Sequence, residues 1–427
     1  MKLKRTPEDF QVIEHLDPEV LEASRGLGDG PYRLYRLRKQ SIGTPEALQA
    51  IARHWNLSRH QLAAGGLKDR HARTVQHVTV RGGPGEPLRE RSFELEYLGR
   101  TDRAIEARWI DSNEFVITLR NVAKASIAAF EARLAAVQRW GLVNYFDDQR
   151  FGSLGSSGEW IGAAWCRDDF ERTLFLILAE PNTHDVPREA EQKQMLRDHW
   201  GEWPLLKSKL DRSHRRSVVT YLVDHPTDFR RAVALVRQDL RSIYAAAFQS
   251  VVWNRWLSSI LAETLPADSQ VIRESLCGPL VHPHLRPAGA SENVARGAED
   301  VPAAERAAVD AGAAEAEQTV APELPDRLPL PSGRVIREAL PFRPQLDSVL
   351  SEFGLVLEKM RFKYPRDTFF SKTDRDIWLR PRQLAWEWLP DELYPGRRAV
   401  RLRFFLPRGA YATAVVKELQ GGLLTAS

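Results

Sequence analysis

Strand-patterned segments near both ends of the chain constrain its fold more than any other feature. EFVITLRNV (114–122) and AVRLRFFL (399–406) are rich in the β-branched and aromatic residues that suit a half-buried sheet. Between them, apolar residues recur at helical spacing over much of residues 155–365. We therefore predict an α+β fold in which both ends of the chain build one core and a largely helical segment is inserted between them.

Turn and helix-stop signals divide the N-terminal third into shorter elements. The helix SIAAFEARLAAVQRWG (126–141) is expected to end at Gly141, and an earlier helix over 46–63 is expected to end before Gly65. The other strands predicted in this third are TPEDFQVIEHL (6–16), QHVTV (76–80) and FELEYLG (93–99).

Composition excludes several classes of protein. The 427 residues include only two cysteines, which rules out a disulfide scaffold and a four-cysteine zinc site. The N-terminal MKLKRTPEDF has no apolar stretch behind its charges, and no apolar run is long enough to span a bilayer. We therefore predict a cytoplasmic protein without a membrane partner, and we expect it to be a monomer.

The formal net charge of +4 conceals a contrast along the chain. Residues 288–321 contain 13 alanines, 7 acidic and 2 basic residues without apolar periodicity, so we predict that they are disordered. The rest of the chain then carries 59 basic and 50 acidic residues, a net charge of +9. Such an excess permits a polyanionic partner such as nucleic acid, although many basic proteins bind none.

GGLKDRHARTVQ (65–76) places a carboxylate between two cations directly after a glycine pair. Flanking cations lower the pKa of Asp69, and an ionised carboxylate suits a nucleophile or a charge stabiliser better than a general acid. The alternative is an ordinary surface carboxylate in a charged turn, which the spacing alone favours.

Two further motifs combine aromatic and amide side chains. In NYFDDQRFG (144–152), aromatic rings could stack on a base while Arg150 binds a phosphate, or the same rings could complete a core. In AAFQSVVWN (246–254), Gln249 and Asn254 could line a cleft, although buried polar pairing is the commoner explanation. The basic stretch 207–216 suits either a phosphate-binding surface or a solvated helix face.

No motif indicates a metal or a cofactor. His54, His60, His71 and His77 are close in sequence, but no cysteine or carboxylate pattern with metal-ligand spacing accompanies them. Neither GxGxxG nor GxxxxGK[ST] occurs, so neither a dinucleotide nor a nucleoside triphosphate is indicated.

Taken in order, these motifs resemble those of the TruD family of tRNA pseudouridine synthases. The matching stretches, which run from residue 4 to residue 419, are KRTPEDFQVIE, GGLKDRHARTVQ, NEFVITLRNV, NYFDDQRFG, AAFQSVVWN and FFLPRGAYATAVVKEL. The resemblance implies a pseudouridine synthase core with a mixed, mostly antiparallel sheet and flanking helices, interrupted by an α-rich TRUD insertion domain. We assign the core to residues 1–155 plus 365–427 and the insertion to residues 156–364.

The resemblance also implies an activity, which is isomerisation of uridine to pseudouridine in RNA, typically at position 13 of tRNA, without cofactor or metal. Asp69 matches the family's catalytic aspartate, and the target nucleotide would be flipped out of the RNA. Whether the carboxylate attacks the sugar or the base stays open. The positions that contact the substrate nucleotide in the family are matched by Phe10, Asn144 and Tyr411, and Phe146 matches the aromatic ring that stacks on uracil.

Four cations are candidates for electrostatic support of this chemistry. Lys4 and Lys68 are the candidates for keeping Asp69 ionised, an inference from charge alone. Arg70, next to Asp69, and Arg150, in the second motif, are candidates for contacts with RNA.

Two residues depart from the family pattern. Asp147 stands where glycine is usual, and Tyr411 stands where some members have phenylalanine.

Two other functions stay open. A catalytically silent RNA-binding protein would bind tRNA without changing a base. A hydrolase using Asp69 would release free uracil, but the chain shows no second carboxylate of the kind glycosidases need. The sequence also leaves open whether RNA other than tRNA is a substrate.

Overall fold

The computed structural model describes residues 1–26, 30–284, 324–334 and 340–421. The described chain divides into two compact units, the first from residues 1–142 and 379–421 and the second from residues 143–284 and 324–378. The domain boundaries predicted at residues 155 and 365 stay a prediction. The segment 288–321, predicted to be disordered, lies outside the described residues.

The described residues form fifteen strands and twelve α-helices. The strands are β1 (Phe10–Leu16), β2 (Tyr32–Lys39), β3 (Leu62–Ala64), β4 (Arg73–Arg81), β5 (Leu88–Glu90), β6 (Phe93–Thr101), β7 (Ile110–Val122), β8 (Leu142–Val143), β9 (Gln270–Arg273), β10 (Leu280–Pro283), β11 (Arg327–Pro329), β12 (Asp374–Asp376), β13 (Trp378–Leu379), β14 (Arg382–Pro390) and β15 (Arg398–Pro407). The helices are α1 (Pro18–Gly26), α2 (Thr44–His54), α3 (Ile127–Trp140), α4 (Ile161–Cys166), α5 (Phe170–Leu178), α6 (Pro187–Asp198), α7 (Trp203–Lys209), α8 (His214–Asp224), α9 (Phe229–Leu235), α10 (Gln238–Thr264), α11 (Arg343–Glu352) and α12 (Ala412–Leu419).

The first unit is built on a nine-stranded sheet in its described part. Eight strands follow the order β14-β15-β7-β1-β4-β2-β6-β5, and β3 pairs with β4. Among these strands only β1 and β4 pair in parallel, with Gln11 opposite Arg73, and the other pairings are antiparallel. Both ends of the chain therefore contribute to one mixed, mostly antiparallel sheet, which confirms the predicted fold class.

Parallel pairing of β1 and β4 has a direct consequence for the site. Strands that run in the same direction begin at the same edge of a sheet. The residues that precede Phe10, at the start of β1, and those that precede Arg73, at the start of β4, are therefore neighbours. The N-terminal segment and the GGLKDRHA loop, far apart in sequence, are brought together by this pair.

Helices cover the sheet with the apolar faces that their sequences predict. Apolar residues of α3 and α12, among them Leu134 and Val416, pack into one buried cluster with β7 and β15. Helix α3 ends at Trp140 and is followed, as predicted, by Gly141, whose φ of 79° is in the left-handed region that glycine tolerates best. Helix α2 packs through Leu48 and Ile51 against β2, β4 and β6.

One predicted helix is wrong at its C-terminal end. The helix expected over 46–63 is α2, which ends at His54 instead of continuing to the glycine pair. Asn56 takes up a left-handed φ of 51°, and the Leu57 N–H donates to Ala52 O at 2.8 Å. This is the Schellman arrangement, in which asparagine can replace the usual glycine. The chain then forms the short strand β3.

The second unit is mainly helical and is organised around α10. This helix of 27 residues buries Trp253 and Trp256, along with most of its apolar positions, in a core that includes residues from α4, α5, α8 and α11. A short break separates two of its helices, since α9 ends at Leu235 and α10 begins at Gln238.

Candidate active site

The loop that carries Asp69 connects β3 to β4 in the first unit. The chain bends at Gly65 and Gly66, and neither residue has a positive φ. Gly65 is required by packing, because a Cβ at this position would lie 2.8 Å from Ile110 Cδ1. At Gly66 a Cβ would meet nothing within 4 Å, so the loop is open on that side.

The Asp69 carboxylate is held by a cation and by a backbone donor. Its Oδ2 atom pairs with Lys4 Nζ, and its Oδ1 atom accepts a hydrogen bond of 2.9 Å from the His71 N–H. Partial burial acts to raise the pKa of Asp69, but the hydrogen bonds from Lys4 and His71 and the Lys4 charge outweigh it and lower the pKa. The side chain nevertheless keeps 31% of its surface exposed. Asp69 is thus ionised and accessible.

Lys4 is positioned by its own backbone and by an aromatic ring. Its φ of 55° lies in the left-handed region, and its ammonium sits over the Phe10 ring, 4.3 Å from the centroid. Phe10 is only 5% exposed and packs edge-on against Phe115. Phe10 therefore offers little free surface, and its visible role is to support Lys4; contact with a substrate nucleotide stays a prediction.

Lys68, the second candidate for pairing with Asp69, is directed elsewhere. Its ammonium lies 2.9 Å from Glu14 Oε2 and donates to Asn113 Oδ1 at 2.8 Å. Glu14 also accepts a 2.8 Å hydrogen bond from the His77 N–H. Burial acts to raise the pKa of Glu14, but His77 and the Lys68 charge outweigh it and lower the pKa. Of the two candidates, the structure places Lys4 against Asp69 and gives Lys68 a buried partner of its own.

The connection from β2 to α2 holds the Asp69 loop by its backbone, and the sequence analysis did not identify it. Lys39 Nζ, at the end of β2, donates to the carbonyl oxygens of Ile42, Lys68 and Asp69 at 2.8, 3.3 and 2.9 Å. Thr44 Oγ1 accepts from the Lys68 N–H at 3.1 Å. The sequence contains this connection as YRLYRLRK (32–39), which forms β2, followed by QSIGT (40–44). The adjacent apolar residues Leu34 and Tyr35, both buried, break the period of two that a strand prediction looks for and so obscure strand β2.

Arg70 and Tyr411 also lie in the first unit. Arg70 is exposed and faces Glu46, with 3.6 Å between Nη1 and Oε1. Tyr411 is half-buried and directly precedes α12, after a turn in which Gly409 has a φ of 83°. Their contacts with RNA stay predictions.

Asn144 lies in the second unit, and both ends of its amide are already used there. Its Oδ1 accepts from Arg375 at 2.8 Å, and its Nδ2 donates to Asp376 O at 2.9 Å. Arg375 Nε also donates to the Asn144 carbonyl oxygen at 2.8 Å. The side chain is buried, so a substrate contact by Asn144 stays a prediction.

The backbone of Phe146 is hydrogen-bonded to a side chain on both sides, and its ring lies next to a cation. Asn254 accepts from the Phe146 N–H and donates to the Phe146 carbonyl oxygen, both at 2.9 Å. The Arg375 guanidinium lies 3.9 Å from the ring centroid, and Trp253 packs edge-on at 5.6 Å. Arg150 is exposed, with its guanidinium 5.9 Å from the same ring. The partly exposed ring and the arginines suit contact with a base and a phosphate.

The remaining polar positions of these motifs have structural partners. Asp147, which departs from the usual glycine of the motif, is buried and accepts from the Gln149 N–H at 3.1 Å. The Gln249 side chain donates to the carbonyl oxygens of Pro331 and Ser371 and accepts from the Ser371 N–H. Gln249 is therefore a buried polar residue with structural partners, the commoner of the two explanations given above.

The basic stretch 207–216 is partly engaged within the second unit. Arg215 pairs with Glu189 at 2.9 Å, and Arg216 donates to the Lys207 carbonyl oxygen at 2.8 Å. Lys209 and Arg212 are exposed. The stretch therefore offers fewer free cations than its sequence suggested.

No group of three or more His, Cys, Asp or Glu side chains in the described ranges is arranged to hold a metal ion. Among the helices that the structure describes, none has the length and apolarity needed to cross a membrane.

Comparison with known proteins identifies the family to which the chain belongs. The family model described as tRNA pseudouridine synthase D (TruD) matches residues 1–419. The chain therefore belongs to the TruD family of tRNA pseudouridine synthases, as the motifs predicted.

Individual relatives match over nearly the whole chain. A Methanocaldococcus jannaschii protein described as "Probable tRNA pseudouridine synthase D 2" is 26% identical over 100% of this chain and 93% of its own length. A tRNA pseudouridine synthase D of Leptospira interrogans is 25% identical over 98% of this chain and 95% of its own length. A crystal structure from Methanosarcina mazei that is assigned to tRNA pseudouridine synthase D has a TM-score of 0.66 and 23% identity, covering 98% of this chain and 93% of that one. That structure shares the fold.

Proposed function

We propose that this protein isomerises uridine to pseudouridine at position 13 of tRNA, with Asp69 as the nucleophile. The observation that carries the proposal is the state of the Asp69 carboxylate, which is ionised by Lys4 and His71 and still exposed on an open loop. A nucleophile has to be both charged and reachable. Glu14 is also ionised, but its side chain is completely buried, so it fits a structural role.

The reaction needs no second reactant. The bond from uracil N1 to C1′ of the ribose breaks, and a bond from C5 to C1′ forms. One proton leaves C5 and one is gained at N1, so the composition of the RNA is unchanged. Asp69 would form a covalent bond with the nucleoside, at the sugar or at the base, while the uracil turns. Each carboxylate oxygen accepts one hydrogen bond in the structure and retains a lone pair for this step.

The residues of the second unit would contribute to binding. The partly exposed Phe146 ring suits stacking on a base, which is worth about 1–3 kcal/mol, and this would offset part of the cost of flipping a nucleotide. Arg150 is exposed and suits a phosphate, so tRNA binding should weaken as salt is raised.

Replacing Asp69 by asparagine tests the nucleophile. The variant should bind tRNA with an affinity close to that of the wild type and form no pseudouridine. Turnover is measured by tritium release from tRNA labelled at C5 of uridine, and chemical mapping of pseudouridine locates the modified position. Asp102→Asn is the matched control, because this exposed carboxylate follows β6 and pairs with Arg103.

The outcomes separate the candidate functions. Wild-type turnover by Asp69→Asn would overturn Asp69 as the nucleophile. Binding of tRNA without tritium release by the wild-type protein would instead indicate a silent RNA-binding protein, and release of free uracil would indicate a hydrolase. A product mapped at another uridine would overturn the assignment to position 13.

A further inference from the structure

The side chain of Lys39 ends inside the first unit, against the backbone of the Asp69 loop. Its ammonium donates to Ile42 O at 2.8 Å, to Asp69 O at 2.9 Å and to Lys68 O at 3.3 Å. An ammonium has three N–H donors and no acceptor, so these three carbonyl oxygens match its full capacity. Lys39 is only 4% exposed.

A buried ammonium is costly unless its environment compensates for it. Here the acceptors are backbone carbonyls, and the nearby charges are those of Asp69, Glu46 and Lys68. Burial lowers the pKa of Lys39 to about 8; the charges of Asp69 and Glu46 act to raise it, and that of Lys68 acts to lower it. Through these hydrogen bonds Lys39 connects the end of β2 to the loop that carries Asp69.

A second contact from the same connection reinforces this attachment. Thr44 accepts from the Lys68 N–H at 3.1 Å and donates to the Gln76 amide oxygen at 2.8 Å. The connection between Lys39 and Thr44 therefore holds the loop at both residues 68 and 69. The Asp69 side chain is held separately, by Lys4.

We propose that Lys39 is a positioning residue that fixes the backbone of Asp69, so that the carboxylate is directed at the target nucleotide. The proposal rests on the proposed function of Asp69. Lys39 acts through the loop, since its three donors are already occupied by carbonyl oxygens. Loss of these bonds would let the carboxylate move, and a misplacement of about 1 Å can reduce catalysis on the order of 100-fold.

Lys39→Met tests this role because it keeps an unbranched side chain only one atom shorter and removes every donor. We expect kcat to fall roughly 10- to 100-fold while KM for tRNA changes less than about twofold. Arg38→Gln is the matched control, because it removes a cation from the neighbouring position of β2, where Arg38 pairs with Glu96. This control should keep the wild-type kcat. A wild-type kcat in Lys39→Met would overturn the proposal.

A pH profile distinguishes positioning from a general loss of structure and does not depend on Lys39→Met folding. In the wild type kcat should decline as the pH rises through about 8, because deprotonation of Lys39 removes one donor and the charge. In Lys39→Arg, which stays protonated, this decline should be absent. The same decline in Lys39→Arg would assign it to another group and overturn the proposal.

The two proposals fail in distinguishable ways. An inactive Asp69→Asn variant beside a Lys39→Met variant with wild-type kcat would refute only the positioning role. An active Asp69→Asn variant would refute the nucleophile, whatever the behaviour of Lys39.

Discussion

Replacing Lys68 by methionine should destabilise the first unit, because it leaves a buried carboxylate without its cation. The Glu14 side chain is completely buried and that of Lys68 is 9% exposed. Removing one partner of a buried ion pair typically costs about 3–5 kcal/mol. The Lys68 and Glu14 side chains also lie beside His77, whose N–H still donates to Glu14 in the variant. We therefore expect Lys68→Met to lower the free energy of unfolding by about 3 kcal/mol, the lower end of that range.

The stability defect of Lys68→Met should depend on pH, whereas a defect caused only by lost packing would not. In the wild type the pKa of Glu14 is lowered, so its contribution to stability is present above the unfolded-state value of about 4.3 and is lost as the pH falls. In Lys68→Met, burial without the cation should raise the pKa of Glu14 above the unfolded value. The defect of the variant should therefore shrink as the pH falls.

Urea denaturation followed by circular dichroism between pH 5 and pH 8 measures the free energy of unfolding. Hydrogen exchange in β1 and β4 reports the first unit separately. The double variant Lys68→Met with Glu14→Gln should recover much of the loss, because no buried charge then remains. A defect that is independent of pH and unchanged in the double variant would refute the reasoning.

Two further predictions concern the carboxylate and the aromatic ring. Lys4→Met should reduce kcat/KM about fivefold on the acid side of the pH profile and little near pH 8. The Lys4–Asp69 pair is about a quarter to a third exposed and so is worth about 1 kcal/mol. Lys2→Met, an exposed neighbour, should leave the profile unchanged. Asn254→Ala unpairs the Phe146 N–H and carbonyl and should cost about 1–3 kcal/mol in urea denaturation; an unchanged midpoint would contradict this.

Much of the fold could be predicted from local patterns. Strands β7 and β15 carry strong β-forming sequences, and α3 has both an apolar face and a terminal glycine. Helix α2 was predicted too long because the left-handed Asn56 that ends it is a weaker signal than Gly65. Strand β2 was missed because its apolar residues do not alternate with polar ones: Leu34 and Tyr35 are adjacent, and both are buried.

The candidate site was predicted in part. The motif around Asp69 identified the carboxylate, and charge alone proposed Lys4 and Lys68 as its partners. Charge could not decide between them, because adjacency in sequence does not determine where a flexible four-carbon side chain ends. Lys39 was missed for a related reason, since its acceptors are backbone carbonyls, which every residue has and no motif displays.

By itself, the sequence determined the type of most elements, the family, and the carboxylate on which the proposed chemistry depends. The tertiary structure decided which cation meets that carboxylate. Parallel pairing of β1 with β4 starts both strands at one edge, and this brings Lys4 to Asp69 across 65 residues of chain. Lys68 is drawn instead to the buried Glu14, because an unpaired charge in the interior would cost more than one left at the surface.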